Sequence, residues 1–363
     1  MNSDEIKEEN ENENHSQYAM QLVTSSVLPM VLKAAVELGL LDIIERSGPG
    51  ACLSPAQIAS QLPTQNPNAP MILDRMLCLL SSYSLLTCSL SPNNNKHGNL
   101  LRLYGLGPVA KYFIKKATHE GVSLAPLLLT MQDKAYIETW YHLKDAILEG
   151  GHPCNRAYGM NMVEYVRKDI RFGELFKLSM KEFNPICMKR ILDIYQGFEG
   201  LTSFVDVGGG DGAILNMIIS KYPHIKGINY DLAAILENSP PYPGTEHCSG
   251  DMFVNIPKGE AIFMKWILHG WDDEHCLMIL RNCYEALPDS GKVIVVDMVI
   301  LEAPESSLAA RSLFQFDMFM MNTNLTGKER TEREFEGLAK EAGFSSIRVA
   351  CSAYDFSVVE LFK

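Results

Sequence analysis

The sequence predicts an α/β protein: a mostly parallel sheet covered by helices on both faces, ending in an antiparallel C-terminal hairpin and preceded by a winged-helix unit. Three observations predict it. Phe204-Val-Asp-Val-Gly-Gly-Gly-Asp-Gly212 is a short apolar strand running into a glycine turn. From Leu201 onward strand-like and helical stretches alternate, the pattern of a sheet buried on both sides. Before them, three helical stretches lead into two strand-like runs joined by a polar loop.

In chain order, residues 1–15 set six acids against one lysine. Such a segment buries too little apolar surface to offset its ordering entropy and is expected to be disordered. Residues 16–45 read as one long helix with a wide apolar face: Met20, Val23, Val27, Leu28, Val31, Leu32, Ala35, Leu38 and Leu41. Ser54 followed by Pro55 marks a helix start over 54–62, and 69–80 reads as the next helix. Tyr83–Leu90 and Leu100–Leu106 read as strands joined by the polar loop 91–98. Together these form a winged-helix unit over 16–118. DNA binding would need a cluster of Lys or Arg on its second helix; none is there, and a dimerisation module is the reading kept. Residues 119–200 are mostly helical. Strands follow at 203–207, 225–230, 244–248, 260–266, 291–299, 346–353 and 356–362, with helices at 273–286, 308–322 and 331–342 among those between them. The last two strands turn tightly at Tyr354-Asp355.

A chain of 363 residues suggests two domains. The net charge of −12 argues against nucleic acid and anionic membranes as partners. The most apolar stretch, Val27 to Ile44, is interrupted by Lys33, Glu37 and Asp42, so no membrane span is expected. The first residues lack the basic-then-apolar pattern of a signal peptide. Nine cysteines, scattered and never in C-x-x-C spacing, indicate neither zinc nor a disulfide framework. A reduced, cytoplasmic protein is expected.

Gly208, Gly210 and Gly212 allow a tight turn whose backbone N–H groups can approach a ligand. Asp231, at the tip of the next strand, is placed to accept hydrogen bonds from a ribose diol. The spelling is G-x-G-x-G, with Ala213 where dinucleotide enzymes have their third glycine. That favours S-adenosylmethionine (SAM), which has no pyrophosphate; an NAD-linked oxidoreductase stays as the alternative. The order glycine turn, Asp231, Asp251-Met252, Lys265 across four successive βα units supports a nucleoside site. His269 follows the 260–266 strand at its C-terminal end, where open α/β sheets bind ligands. No other histidine does: His15 and His97 lie in polar loops, His275 on a charged helix, His119, His142 and His152 before the sheet, and His224 and His247 away from strand ends. By position alone, a structural histidine remains an open reading of His269.

The chain resembles the plant SAM-dependent phenolic O-methyltransferases of the caffeic acid type, from about Tyr18 to Lys363. The resemblance rests on Val27-Leu-Pro-Met-Val-Leu-Lys33, Leu103-Tyr-Gly-Leu106, Trp140-Tyr-His-Leu-Lys-Asp145, Ala157-Tyr-Gly-Met160, Val205-Asp-Val-Gly-Gly-Gly210, Gly250-Asp-Met-Phe253, Met264-Lys-Trp266, Asp273-Glu-His-Cys276 and Gly327-Lys-Glu-Arg-Thr331. It implies a Rossmann-like methyltransferase domain over 119–363, with a helical acceptor-binding region at 119–200, and a homodimer formed through the N-terminal winged helix. It implies SAM as cofactor, no metal, and His269 as general base beside acids at Asp297 and Glu329. The family more often has glutamate at the first of these positions, one methylene longer than Asp297. Gly270 also departs, standing where relatives commonly show an acid. Gly208 and Gly210 are implied for the methionine end of SAM, Asp231 for the ribose, Asp251 and Met252 for the adenine, and Lys265 for the adenine or ribose. An ordinary surface lysine is the alternative for Lys265. The acceptor site is implied at Met131, Tyr136, Met162, Val166, Phe172, Phe176, Met180, Phe183, Phe316, Phe319, Met320 and Asn324. The spacing of Phe172, Phe176, Met180 and Phe183, and of Phe316, Phe319 and Met320, is also that of ordinary core-facing helix stripes.

A phenol has a pKa of about 10, so at neutral pH only about one in a thousand is ionised, and a histidine poised near neutrality contributes ~10²–10⁴-fold by removing its proton during attack. Relatives that accept hydroxycinnamic acids carry asparagine where this chain has Met131, and histidine at Val166 and Phe183. Desolvating a carboxylate without partners is costly. The expected acceptor is therefore a bulky, uncharged plant phenol such as a lignan, benzylisoquinoline, stilbene or phenylpropene. A lignin-pathway 3-O-methyltransferase of caffeic or 5-hydroxyferulic acid is the alternative. Outside this class stand the NAD-linked oxidoreductase and a non-catalytic winged-helix regulator. A Mg²⁺-dependent catechol methyltransferase would need clustered carboxylates and a lysine base where His269 stands.

Overall fold

A computed structural model describes residues 3–92, 100–114, 122–324 and 326–363, with side chains from residue 12 onward. The expected loop at 91–98 falls largely outside these residues, as do His97 and His119. Helices α1 (Ser3–Val23), α2 (Val27–Glu37), α3 (Leu40–Arg46), α4 (Pro55–Ala59) and α5 (Ala69–Ser82) precede strands β1 (Leu86–Pro92) and β2 (Leu100–Leu106). Six helices follow: α6 (Ala125–Met131), α7 (Lys134–Trp140), α8 (Leu143–Glu149), α9 (Pro153–Tyr158), α10 (Met162–Lys168) and α11 (Ile170–Ile194). Then come β3 (Ser203–Val207), α12 (Ala213–Lys221), β4 (Lys226–Asp231), α13 (Ala233–Leu236), β5 (Thr245–Ser249), β6 (Ala261–Lys265), α14 (Asp273–Ala286), β7 (Lys292–Asp297) and β8 (Val299–Ile300). The chain closes with α15 (Leu308–Thr323), β9 (Arg330–Thr331), α16 (Glu332–Ala342), β10 (Ser346–Ala353) and β11 (Phe356–Phe362). No single helix among the described residues is long and apolar enough to cross a membrane.

The chain forms two compact units, residues 1–134 with 174–183, and residues 135–173 with 184–363. Helix α6 joins the first unit because it lies against α2, where Lys33 Nζ donates to the Gln132 carbonyl at 2.9 Å.

In the first unit, β1 and β2 pair antiparallel from Leu86–Leu106 to Pro92–Leu100, and Leu53 bridges to Tyr104. Ser54 and Gln57 form a reciprocal capping box at the start of α4, satisfying two N–H groups that the first turn leaves open. Leu73, Leu77 and Leu80 face α5 inward at helical spacing, onto Leu40, Leu41, Ile44, Ile58 and Tyr104. Two expectations are corrected here. The single helix over 16–45 is three helices, since the chain turns at Thr24–Ser26 and Gly39 adopts φ +65° between α2 and α3, a left-handed conformation that ends a helix. The segment expected to be disordered enters a helix at Ser3. Glutamates are good helix formers, and acids near a helix N-terminus interact favourably with its dipole.

In the second unit, seven strands run in the order β10-β11-β7-β6-β3-β4-β5. The five from β7 to β5 are parallel, and β11 and β10 are antiparallel. One face packs Val205, Val207, Ile262, Met264, Val293 and Val295 at strand spacing against Ile279, Leu280 and Cys283 of α14 and Phe335 and Leu338 of α16. The strand expected over 291–299 breaks at Met298; its end, β8, pairs in parallel with β9 in a small separate sheet. That pairing holds the segment carrying Glu329 and Arg330.

Candidate active site

The cofactor-class residues lie at successive C-terminal ends of the parallel strands. Gly208 follows β3, Asp231 ends β4, Asp251 and Met252 follow β5, Lys265 ends β6 and Asp297 ends β7. Open parallel sheets bind ligands along this edge. Gly208 has φ +70°, which demands glycine, and a Cβ there would fall 2.3 Å from Ile267 Cδ1, so that side chain would have to move. Gly210, at φ +60°, has nothing within 4 Å of its Cβ position, and its N–H donates to Asp231 Oδ2 at 2.9 Å. The other Asp231 oxygen accepts from the Leu232 N–H at 2.7 Å. Beneath the turn, Asn229 Nδ2 donates to the Gly210 carbonyl at 2.9 Å. Asp206 is buried with Oδ2 unpaired; burial and the nearby Asp231 charge push its carboxyl up to about 8, against Lys265.

Asp251 is exposed and accepts from the Phe253 N–H at 2.9 Å. Met252 is partly buried, its carbonyl held by Asn282 Nδ2 at 2.8 Å. Lys265 is no surface lysine. It is buried, donates to Asn184 Oδ1 at 2.8 Å, and lies over the rings of Trp266 and Phe356 at 4.4 and 4.8 Å. Burial lowers its pKa to about 8, opposed by Cys187, Asp297 and Asp206. These residues fit a SAM molecule. An open glycine turn, an acid at a strand tip and an unpaired buried carboxyl beneath give the cationic methionine end and the ribose complementary groups.

His269 sits in a short 3-10 turn, Leu268–Gly270, that follows β6. Its Nδ1 lies 2.9 Å from Glu329 Oε1, with the histidine side chain 13% exposed and the glutamate 1%. A carboxylate there places the proton on Nδ1 and leaves Nε2 as the acceptor. The Glu329 N–H is held in turn by Asp317 Oδ1 of α15 at 2.9 Å. Asp297 is fully buried but makes no hydrogen bond to His269. Its Oδ1 accepts the Trp266 N–H at 2.8 Å and its Oδ2 has no partner. Of the two acids expected beside His269, only Glu329 is hydrogen-bonded to it. Burial pushes Asp297 up to about 7, with Glu329 adding and His269 opposing.

Among the expected acceptor residues, Tyr136, Met162, Val166, Phe172 and Phe319 form one cluster. Tyr136 meets Phe172 and Phe319 edge to face, with centroids 5.1 and 4.8 Å apart. Its hydroxyl makes no hydrogen bond among the described residues, and burial pushes its pKa up. Phe316 stands 6.4 Å from Trp266, and Met320 packs close to Gly327. Asn324 is already engaged, donating to the Gly270 carbonyl at 2.8 Å. Met131, Phe176, Met180 and Phe183 fall in the first unit.

Sequence reasoning missed four residues that hold this site. Arg330, about 1% exposed, donates to the carbonyls of Leu268 and Trp271 at 2.8 and 2.7 Å and to Asp273 at 2.8 Å. It therefore clamps both ends of the turn bearing His269. Asp317, Asn184 and Asn229 are the others. Arg330 had a sequence signal, since it adjoins Glu329 in a segment marked for function. The rest sit in helices or strands with nothing to distinguish them.

Comparison with known proteins agrees with this geometry. Residues 140–345 match the O-methyltransferase domain and residues 20–116 the O-methyltransferase dimerisation domain. The chain is 59% identical over 346 residues to a caffeic acid 3-O-methyltransferase of Prunus dulcis, covering 95% of this chain and 94% of that one. It is 58% identical to the enzyme of that name from Rosa chinensis, with the same coverage. The chain belongs to the O-methyltransferase family.

In fold it is similar to human N-acetylserotonin methyltransferase in complex with SAM, at TM-score 0.79 and 19% identity over 96% of this chain and 97% of that one. A methyltransferase of calicheamicin biosynthesis in its SAH-bound form gives TM-score 0.78 and 22% identity, covering 96% and 98%. This O-methyltransferase uses SAM as its cofactor and carries the domain through which such enzymes form homodimers.

Proposed function

We propose that the chain transfers the methyl group of SAM to a phenolic hydroxyl of a hydroxycinnamate of the caffeic type, with His269 as general base. The observation that carries the base is the 2.9 Å contact between Glu329 and His269 Nδ1 at the ligand-binding edge of the sheet. When bound, SAM supplies a methyl group already activated by its sulfonium. The protein's part is to orient the acceptor and take its proton. His269 Nε2 receives the phenolic proton as oxygen attacks. The Glu329 carboxylate stabilises the imidazolium through Nδ1–H, and the proton then leaves to solvent. Gly208, Gly210, Asp231, Asp251, Met252 and Lys265 would hold SAM. Tyr136, Phe172 and Phe319, packed edge to face, are the aromatic side chains this reading assigns to the acceptor region. Net charge −12 suits a cytoplasmic enzyme without nucleic acid or membrane partners.

The relatives named as caffeic acid 3-O-methyltransferases, at 55–59% identity, support this acceptor better than the bulky, uncharged phenol expected from Met131, Val166 and Phe183. The bulky phenol remains the second reading on the strength of those three apolar side chains. The deciding experiment compares kcat/KM for caffeic and 5-hydroxyferulic acids with that for a lignan, a benzylisoquinoline, a stilbene and a phenylpropene. Highest efficiency on the cinnamic acids is expected. A tenfold or greater preference for one of the others would transfer the acceptor to the second reading while leaving the reaction class intact.

A further inference from the structure

Trp266 occupies an unusual place in this fold. It is one of three non-glycine residues with positive φ among the described residues, at +55°, a left-handed conformation that crowds a bulky side chain against its own backbone. Such strain persists only where neighbours hold it. Here its N–H donates both to the Val296 carbonyl at 3.1 Å and to Asp297 Oδ1 at 2.8 Å. The reversal at 266 brings the indole alongside His269, three residues on. The two rings are parallel to within 6°, with centroids 5.5 Å apart. Phe356 packs on the indole at 5.0 Å, and Lys265 Nζ lies 4.4 Å from its centroid. Asp297, held in the family to be one of two acids beside the base, thus spends one oxygen on the Trp266 backbone and has no bond to the imidazole.

We propose that Trp266 is the positioning residue of the base: Asp297 locks its backbone in the left-handed turn, and its indole fixes the plane of the His269 ring. Asp297 orients His269 through Trp266, while Glu329 hydrogen-bonds to the imidazole itself. The inference rests on His269 being the base. Two contacts then orient the imidazole, one along its edge at Nδ1 and one across its face, and they are chemically distinct. The carboxylate sets tautomer and direction, whereas the indole restrains rotation and favours the imidazolium by a cation–π interaction. The charged groups around His269 are few. Glu329 lies before β9 and Asp297 on β7; Lys265 lies over Trp266; Arg330 holds the Leu268 and Trp271 carbonyls and pairs with Asp273 of α14. Replacing Trp266 leaves all of these residues present, so the difference between a flat and a non-flat replacement reports the aromatic face.

The experiment compares Asp297→Asn, Glu329→Gln, Trp266→Leu and Trp266→Phe with His269→Ala as the reference. Readouts are kcat, KM, the pH profile of kcat and the histidine pKa from proton NMR of the cofactor-free protein. Asp297→Asn retains an oxygen for the Trp266 N–H and is expected to lower kcat and move the acid limb less than Glu329→Gln does. Trp266→Leu is expected to lower kcat by about tenfold or more and to move the acid limb and the His269 pKa to lower pH. The KM for acceptor should change less than kcat. Trp266→Phe keeps a flat face with a weaker cation–π attraction, so it should move the limb in the same direction by less, and that shift from the unaltered protein carries the test if the leucine variant does not fold. If Asp297→Asn matched Glu329→Gln in kcat and pH limb, Asp297 would be a direct partner of the base and the proposal would fall. It would fall equally if Trp266→Leu, or Trp266→Phe where leucine does not fold, left the limb and the pKa unmoved from those of the unaltered protein. Full activity in His269→Ala would instead remove the underlying reading of the base.

Discussion

At the scale of single residues, His269 and Glu329 act as one group. The buried carboxylate gives the imidazole a tautomer, and the imidazole gives the carboxylate the partner that a buried charge requires. His269→Ala is therefore expected to lower kcat by about two or more orders of magnitude at neutral pH. The Kd for SAM, read by calorimetry, should stay nearly constant, because the glycine turn and Asp231 are untouched. Asp297 and Asp206 lead to a different expectation. Burial raises them to about 7 and about 8 from the ordinary value of 3.8. Between pH 4 and those values the folded chain holds more protons than the unfolded chain, so stability falls as pH rises through that window and levels off above about 8. Thermal unfolding followed from pH 5 to 8 should show this decline, and Asp297→Asn should make it shallower. A decline of the same size in that variant would mean that Asp297 is ionised throughout. His269 was legible as a candidate because it directly follows a strand at the binding edge. Which acid touches it was not, since the two differ by one methylene in reach and stand 32 positions apart in the chain.

Elements carry the site in two ways. The glycine turn after β3 is a local device whose conformational demand is written into its residues. Gly208→Ala is expected to weaken SAM binding and lower Tm, because φ +70° and the 2.3 Å approach to Ile267 both oppose a side chain. Gly210→Ala should disturb Tm less, with the same left-handed strain but no clash. Isothermal titration and calorimetry on the pair would check the order. The turn bearing His269 is the opposite case. Its geometry comes from Arg330, which β9 delivers from a distant part of the chain. Arg330→Leu would remove the charged donor from the carbonyls of Leu268 and Trp271, which would keep, among the described residues, only the Trp271 N–H and the Cys276 thiol, a loss of about 1 kcal/mol for each bond. A loss of several degrees in Tm together with a fall in kcat is expected. Arg330→Lys should recover only part of either, since an ammonium lacks the planar fork that reaches three acceptors. The two-residue pairing of β8 with β9 was unreadable in advance. A strand of two residues has no periodicity, and its partner lies some thirty positions away.

For the whole molecule, the parallel sheet, its antiparallel end and the capped helices around it were readable because they follow local rules. Apolar residues recur every second position in strands and every third or fourth in helices, with glycine or serine at the ends. The methyl transfer inferred here uses a protein base and a carboxylate, so EDTA is expected to leave the rate unchanged; inhibition reversed by Mg²⁺ would assign the enzyme to the metal-dependent class. Segment-level readings failed where two local preferences competed. The long apolar stretch of 16–45 breaks at Gly39, and the acidic start of the chain has the composition of a disordered tail but residues that propagate a helix. By itself the sequence determined the fold class, the nucleoside edge and the histidine, because each is a property of neighbouring residues. Only the tertiary structure decided that Lys265 is buried, that Asp297 holds Trp266, and that Arg330 clamps the turn bearing His269. Those facts depend on which side chains from distant segments meet in a low-dielectric interior, where every polar atom needs a partner.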